Sequence, residues 1–253
     1  MKINKVSDLL NKWVNNYSRD EVLEKIKKYI ASPTGFFHIV SLNVENILAA
    51  LNDWNFFGTV EAAQIRIIDG AGIVVAGRIL NIKAGERYPG VELMSDLLEL
   101  ASKRRLRIML VGGRPKIAEK VAECQKKAGS KANFFTTEGI LDINNPKREE
   151  IKRIFSIVAD FRPHMIFTAF GSPQQELWLD RHKSKLSGIV CMGVGGAFDF
   201  LSGNVARAPK FVSVIGLEWL FRLIKEPWRW KRQLKIPIFF YLVFRERLKL
   251  KKN

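Results

Sequence analysis

Met165-Ile-Phe-Thr-Ala-Phe-Gly-Ser-Pro-Gln-Gln-Glu176 decides the fold of this chain. An apolar run without polar alternation ends on Gly171, and helical spacing opens beyond it around Leu177–Lys183. Such a run fits a strand covered on both faces, as in a parallel sheet. The same pattern recurs at Phe36–Asn43, Ile65–Gly70, Leu106–Gly113 and Gly188–Gly196, with a further strand expected at Asn133–Thr137. Each of the five main runs ends on glycine, amide or charged residues. Parallel α/β sheets bind ligands at the carboxyl ends of their strands, so five polar ends that can converge on one edge predict an active site.

Helical periodicity fills the intervals at Lys5–Ile30, Val44–Trp54, Val91–Lys103, Lys116–Lys127 and Lys147–Phe161. Ile73–Ile79 reads as a helix or irregular segment, and Gly85–Gly90 as a loop carrying Glu86, Arg87 and Pro89. The alternation predicts an α/β fold: a mostly parallel, Rossmann-like sheet flanked by helices, with a basic helical C-terminal appendage. Residues 1–206 are expected to form the catalytic core and residues 207–253 the appendage.

Charge is unevenly placed along the 253 residues. The net charge is +17, and the last 47 residues hold 13 Lys/Arg against 3 Asp/Glu, or +10. A tail this basic, carrying Trp228, Trp230, Phe239, Phe240 and Tyr241, points to an anionic partner. In so basic a segment these aromatics fit an interfacial anchor better than a core. Ile236–Phe244 is the nearest approach to a spanning segment and is too short to cross a bilayer. The start, Met1–Trp13, lacks an apolar signal core, and Cys124 and Cys191 form no disulfide framework, so a cytoplasmic setting is expected.

The strand ends carry the candidate chemistry. Asp69-Gly70 is either a turn pair or a carboxylate held in a cleft as a general base. Asn43 either caps the helix from Val44 or, with Ser41, holds a sugar hydroxyl, acetamido group or phosphate. Gly112-Gly113-Arg114-Pro115 offers backbone N–H groups and a cation to an anion, with Pro115 suited to the first turn of the next helix. Ser172 reads as a helix cap with Pro173 at the first helical position, whereas Gln174, Gln175 and Glu176 can hydrogen-bond a ligand. There is no P-loop and no G-x-G-x-x-G after the first strand, which leaves a nicotinamide enzyme unsupported. His38, His164 and His182 have no metal spacing and no D-x-D occurs, so no cofactor or metal is expected. Catalysis would then rest on Arg, amide and backbone donors.

These residues bring a resemblance into view. Val40-Ser-Leu-Asn43, Asp69-Gly-Ala-Gly-Ile73, Glu86-Arg-Tyr-Pro-Gly90, Leu110-Val-Gly-Gly113, Phe170-Gly-Ser-Pro-Gln-Gln-Glu176, Gly193-Val-Gly-Gly-Ala-Phe-Asp-Phe-Leu-Ser-Gly203, Arg207-Ala-Pro209 and Gly216-Leu-Glu-Trp-Leu-Phe-Arg222 follow in order. Together they resemble the WecG/TagA/CpsF family of bacterial glycosyltransferases, from about Phe37 to Arg232. The resemblance implies an inverting, metal-independent transferase. It would move an N-acetylmannosamine-type sugar, or its uronic acid, from a UDP donor to a polyprenyl-diphosphate-linked N-acetylglucosamine, peripherally on the inner face of the plasma membrane. By the same resemblance Asp69 looks like the general base, and Ser41, Asn43 and Gln175 like sugar contacts. Arg87, Arg222, Arg229 and Arg232 look like diphosphate contacts. The matched segments add Gly112, Gly113, Arg114, Glu176, Gly195, Gly196, Asp199 and Arg207 to the candidate substrate-binding set.

The chain departs from the family pattern in five places. Ser41 stands for Thr, Glu92 for Asp, Gln174 for Lys, Pro163-His164 for Pro-Asp and Gly139-Ile140 for Gly-Tyr. Three other readings stay open: transfer of another hexose, a UDP-sugar-binding protein without turnover, and nucleic-acid binding through the tail. The last leaves the polar strand ends unexplained, so no nucleic-acid partner is expected. Homo-oligomerisation is left open.

Overall fold

The computed structural model describes residues 5–14, 17–205, 218–225 and 230–250, with backbone alone at 218, 219, 222, 225, 231, 232 and 250. Six strands form its centre: β1 (Phe37–Leu42), β2 (Ile65–Ile68), β3 (Arg107–Gly112), β4 (Asn133–Thr137), β5 (Met165–Ala169) and β6 (Val190–Gly193). All pair in parallel, in the order β2-β1-β6-β5-β3-β4. The chain runs outward from β1 to β2 at one edge. It then crosses to β3 and runs outward to β4 at the other, and β5 and β6 close the gap between. Parallel pairing puts every carboxyl end on one edge, as the five runs predict. The register fixes the neighbours there: Leu42 lies beside Ile68, Thr168 beside Gly193 and Gly112 beside Ala169.

Alternating side chains serve two helical layers. Ile39, Ile108, Leu110 and Phe167 pack with α2 (Arg19–Ala31), α6 (Gly90–Arg104), α7 (Ile117–Lys127) and the short α10 (Ala197–Leu201). Val40 and Leu42 face α1 (Val6–Trp13), α3 (Val44–Asn52), α4 (Trp54–Glu61) and α5 (Ala71–Leu80). Met109, Val111, Ile166 and Cys191 face α8 (Arg148–Phe161) and α9 (Gln174–Arg181). Burial on both faces is why these strands read as unbroken apolar runs.

Two helical stretches are divided differently from expectation, each for a local reason. Lys5–Ile30 is two helices, because Ser18 and Glu21 form a reciprocal capping box that starts α2 afresh. Beyond α3, Asp53 accepts from Asn55 N and Phe56 N and nucleates α4.

The last helix, Lys235–Leu250, corrects the reading of Phe239 and Phe240 as interfacial anchors. It packs on α1, α3 and α5, with Phe239 and Val243 fully buried and Phe240 partly buried against the same cluster. The reason is α5, whose sequence AGIVVAGRIL is apolar on more than one face and leaves Ile73 and Ala76 to be covered. Glu246 fixes this helix to the far end of the chain, accepting from Val6 N at 2.7 Å and Ser7 N at 2.9 Å. It supplies the cap that Lys5 does not give α1. Ile238, Tyr241, Phe244 and Leu248 remain exposed along the outer side. No helix among the described residues is long and apolar enough to cross a membrane.

Candidate active site

Asp69 follows the last residue of β2, where its N–H donates to Leu42 O at 2.9 Å and keeps it on the sheet edge. The loop before α6 folds back over it. Tyr88 N donates to Ile68 O at 2.8 Å, Ile68 bridges Arg87 in parallel, and Arg87 Nε donates to Asp69 O at 2.8 Å. Gly90, the first residue of α6, donates its N–H to Asp69 Oδ1 at 2.7 Å. A charge-assisted bond of that length fixes one carboxylate oxygen. Ser41, at the end of β1, places its hydroxyl against Gly90. A Cβ at residue 90 would lie 2.8 Å from Ser41 Oγ, so any larger residue there would have to displace that hydroxyl. That Oγ is buried and makes no hydrogen bond among the described residues.

Asn43 takes the capping role: its Oδ1 accepts from Asn46 N at 3.0 Å at the start of α3. Asn46, absent from the sequence expectations, is buried and ties two strand ends together. Its Nδ2 donates to Ser41 O at 2.8 Å, and its Oδ1 accepts from Ser172 Oγ at 2.9 Å. Ser172 therefore is not the cap of α9; Pro173 occupies that position, after a cis Ser172–Pro173 bond. The signal for Asn46 was an amide in the first turn of a helix, where its side chain can reach back to the preceding strand.

Gln175 and Glu176 are buried beneath the strand ends, bonded to each other and, through Gln175, to two backbone N–H groups. Gln175 Oε1 accepts from Gly171 N at 3.2 Å and Gly195 N at 3.1 Å, and its Nε2 donates to Glu176 Oε1 at 2.8 Å. One buried amide thus joins the ends of β5 and β6. Gly193 leaves the space for it, since a Cβ there would lie 2.6 Å from Gln175. Burial pushes the Glu176 carboxyl above the ordinary carboxylate range, against the hydrogen bond from Gln175. Gln174 is partly exposed at the start of α9.

The third cluster lies beyond β3. Gly112 and Gly113 have φ of 85° and 87°, and Gly113 N donates to Ala169 O at 3.0 Å. The helix does not begin at Pro115 or Lys116, which corrects the expected start. Lys116 is left-handed at φ 61° and α7 starts at Ile117, so a turn separates the glycines from the helix. Arg114 Nε lies 3.9 Å from Oδ1 of buried Asp199, in the short helix that follows Gly195 and Gly196. Gly112, Arg114, Lys116, Thr137 and Glu138 line a small cleft between the ends of β3 and β4. Its two cations are matched by two carboxylates, Glu119 and Glu138, so the cleft is charged but not net positive.

Of the tail residues, Arg207 and Arg229, with Trp228, lie outside the described residues, and the side chains of Arg222 and Arg232 do too. Among the described residues, no group of three or more His, Cys, Asp or Glu side chains is placed to hold a metal ion.

Comparison with known proteins agrees with this architecture. The family model described as Glycosyl transferase WecG/TagA/CpsF family matches residues 7–253. The N-acetylglucosaminyldiphosphoundecaprenol N-acetyl-beta-D-mannosaminyltransferase of Bacillus subtilis (strain 168) is 33% identical over 220 residues, 87% of this chain and 83% of its own. The protein of the same name from Staphylococcus aureus (strain MW2) is 28% identical over 246 residues, 97% of this chain and 94% of its own. A match of this extent, on a parallel sheet whose polar strand ends share one edge, shows that the chain belongs to the WecG/TagA/CpsF family and is a glycosyltransferase.

Proposed function

We propose that this enzyme transfers an N-acetylmannosamine-type sugar, or its uronic acid, from a UDP donor to a polyprenyl-diphosphate-linked N-acetylglucosamine. The observation that carries the reading is the Asp69 carboxylate, oriented at the sheet edge, in a chain that aligns over most of its length with transferases of that name. In the step, an acceptor hydroxyl oxygen attacks the donor's anomeric carbon. The bond from that carbon to the diphosphate oxygen breaks, and UDP leaves with the electron pair. Asp69 takes the hydroxyl proton. Displacement from the face opposite UDP inverts the anomeric centre.

Negative charge develops on the departing diphosphate and needs fixed donors. Arg87 stands beside Asp69 to supply one, whereas the cleft of Arg114 and Lys116 beyond β3 lies four strands from β2, about 19 Å away, and would meet a more distant part of the donor. Arg207, Arg222, Arg229 and Arg232 add charge from the tail sequence. The protein's own cations then serve where other transferases use a divalent ion.

A lipid acceptor requires contact with a membrane surface. The exposed Ile238, Tyr241, Phe244 and Leu248 beside Lys235, Arg245 and Lys249 support a peripheral contact with anionic lipid. The test is UDP release from a panel of UDP-sugars, with and without lipid-linked N-acetylglucosamine diphosphate and with and without EDTA. The reading predicts acceptor-dependent release with one donor class and little effect of EDTA. No release with any donor, or strict need for a divalent ion, overturns the donor or the metal-free step respectively.

A further inference from the structure

Arg19 is a cation in the first turn of α2, where the helix dipole disfavours positive charge and where Asp20 and Glu21 are the favourable residues. Nothing local requires it. Its side chain leaves the helix and reaches the loop that precedes α6. Nη1 lies 2.8 Å from Glu92 Oε2, Nε lies 2.9 Å from Glu86 Oε1, and Nη2 donates to Arg87 O at 3.1 Å. The guanidinium carbon sits 4.8 Å from the centre of the buried Tyr88 ring, whose hydroxyl donates to Asp96. One planar fork therefore holds four of the seven residues from 86 to 92.

That loop carries two groups that contact Asp69: Arg87, on its carbonyl, and Gly90, whose N–H holds Oδ1. Glu92, where the family pattern has Asp, spends its carboxylate on Arg19. The pair with Glu86 is half-exposed and contributes little by itself, but the fork as a network also ties α2 to this loop. Its geometric effect falls on residues 87 and 90.

We propose that Arg19 is a positioning residue of the transfer reaction: its guanidinium fastens the 86–92 loop so that Gly90 N–H stays on Asp69 Oδ1. The proposal rests on the reading of Asp69 as the general base. It needs arginine, because lysine can meet one carboxylate but not a second carboxylate, a carbonyl and a ring together.

Two measurements on the full chain test it. The first is amide exchange in wild type, Arg19→Met and Arg19→Lys. Exchange at Tyr88 and Gly90 should rise about tenfold or more in Arg19→Met, less in Arg19→Lys, and stay unchanged in β3 and β5. Unchanged exchange across 86–92 overturns the proposal. This arm needs no turnover, so an inactive wild type would count against the transferase reading and leave the clamp judged on its own.

The second is turnover in two backgrounds. Arg19→Met should lower kcat about 10- to 100-fold, with KM for the donor within about twofold. In an Asp69→Asn background the same change should alter the residual rate by less than about twofold, because the group it positions is gone. An equal loss in both backgrounds shows a merely structural role and overturns the proposal.

Discussion

The N–H of Gly90 donates to Oδ1 of Asp69 at 2.7 Å, across 21 residues of sequence. The bond joins the end of β2 to the start of α6. With Ser41 Oγ packed where a Cβ of residue 90 would stand, the three residues set one another's positions. Gly90→Ala should therefore push on Ser41 and shift the N–H. The expected outcome is a folded protein whose turnover is about 10- to 100-fold lower, read as kcat beside an unchanged circular dichroism spectrum.

Gln175 carries a different kind of load. Gln175→Ala strips the partner from Gly171 N, Gly195 N and Glu176 at once. Each buried group left unpaired costs about 1–3 kcal/mol. Urea unfolding should show a loss of several kcal/mol, and Gln175→Leu, which also removes the amide, should not restore it.

The last helix should behave as part of the core. Phe239→Ala empties a fully buried site between α3 and α5 and should cost about 3–5 kcal/mol in urea unfolding. Glu246→Ala uncaps α1 and should cost about 1 kcal/mol, with faster amide exchange at Val6 and Ser7. Tyr241→Ala, on the exposed side, should leave stability within about 0.5 kcal/mol.

His38 is buried in β1, and burial lowers its pKa to about 4. The unfolded chain then binds the proton more readily than the folded one between pH 6.5 and pH 4. Stability is fully present above pH 6.5 and falls as pH drops toward 4, by about 3 kcal/mol for this group. In urea unfolding at pH 7 and pH 4.5, His38→Gln should lose stability less steeply with acidification than wild type. Equal slopes would show that His38 is not the group responsible.

Much of this was legible in the sequence because strand burial on two faces leaves unbroken apolar runs, and parallel pairing then forces their polar ends together. Phe239 was not legible. The groove that takes it is built by α1, α3 and α5, and nothing near residue 239 records that those helices leave a gap. The place of Gln175 was not legible for a related reason. Whether a buried amide faces a ligand or two backbone N–H groups depends on Gly193, a residue on another strand whose missing side chain leaves the room. Arg19 gave only a negative sign, a cation where its own helix does not want one.

The most direct test of the central claim is transfer by wild type and Asp69→Asn, side by side, from a UDP-N-acetylmannosamine-type donor to lipid-linked N-acetylglucosamine diphosphate. Both should bind donor, and the account predicts that Asp69→Asn loses about 10²- to 10⁴-fold in kcat, the usual contribution of a general base. Asp69→Asn turnover within a few-fold of wild type would contradict it.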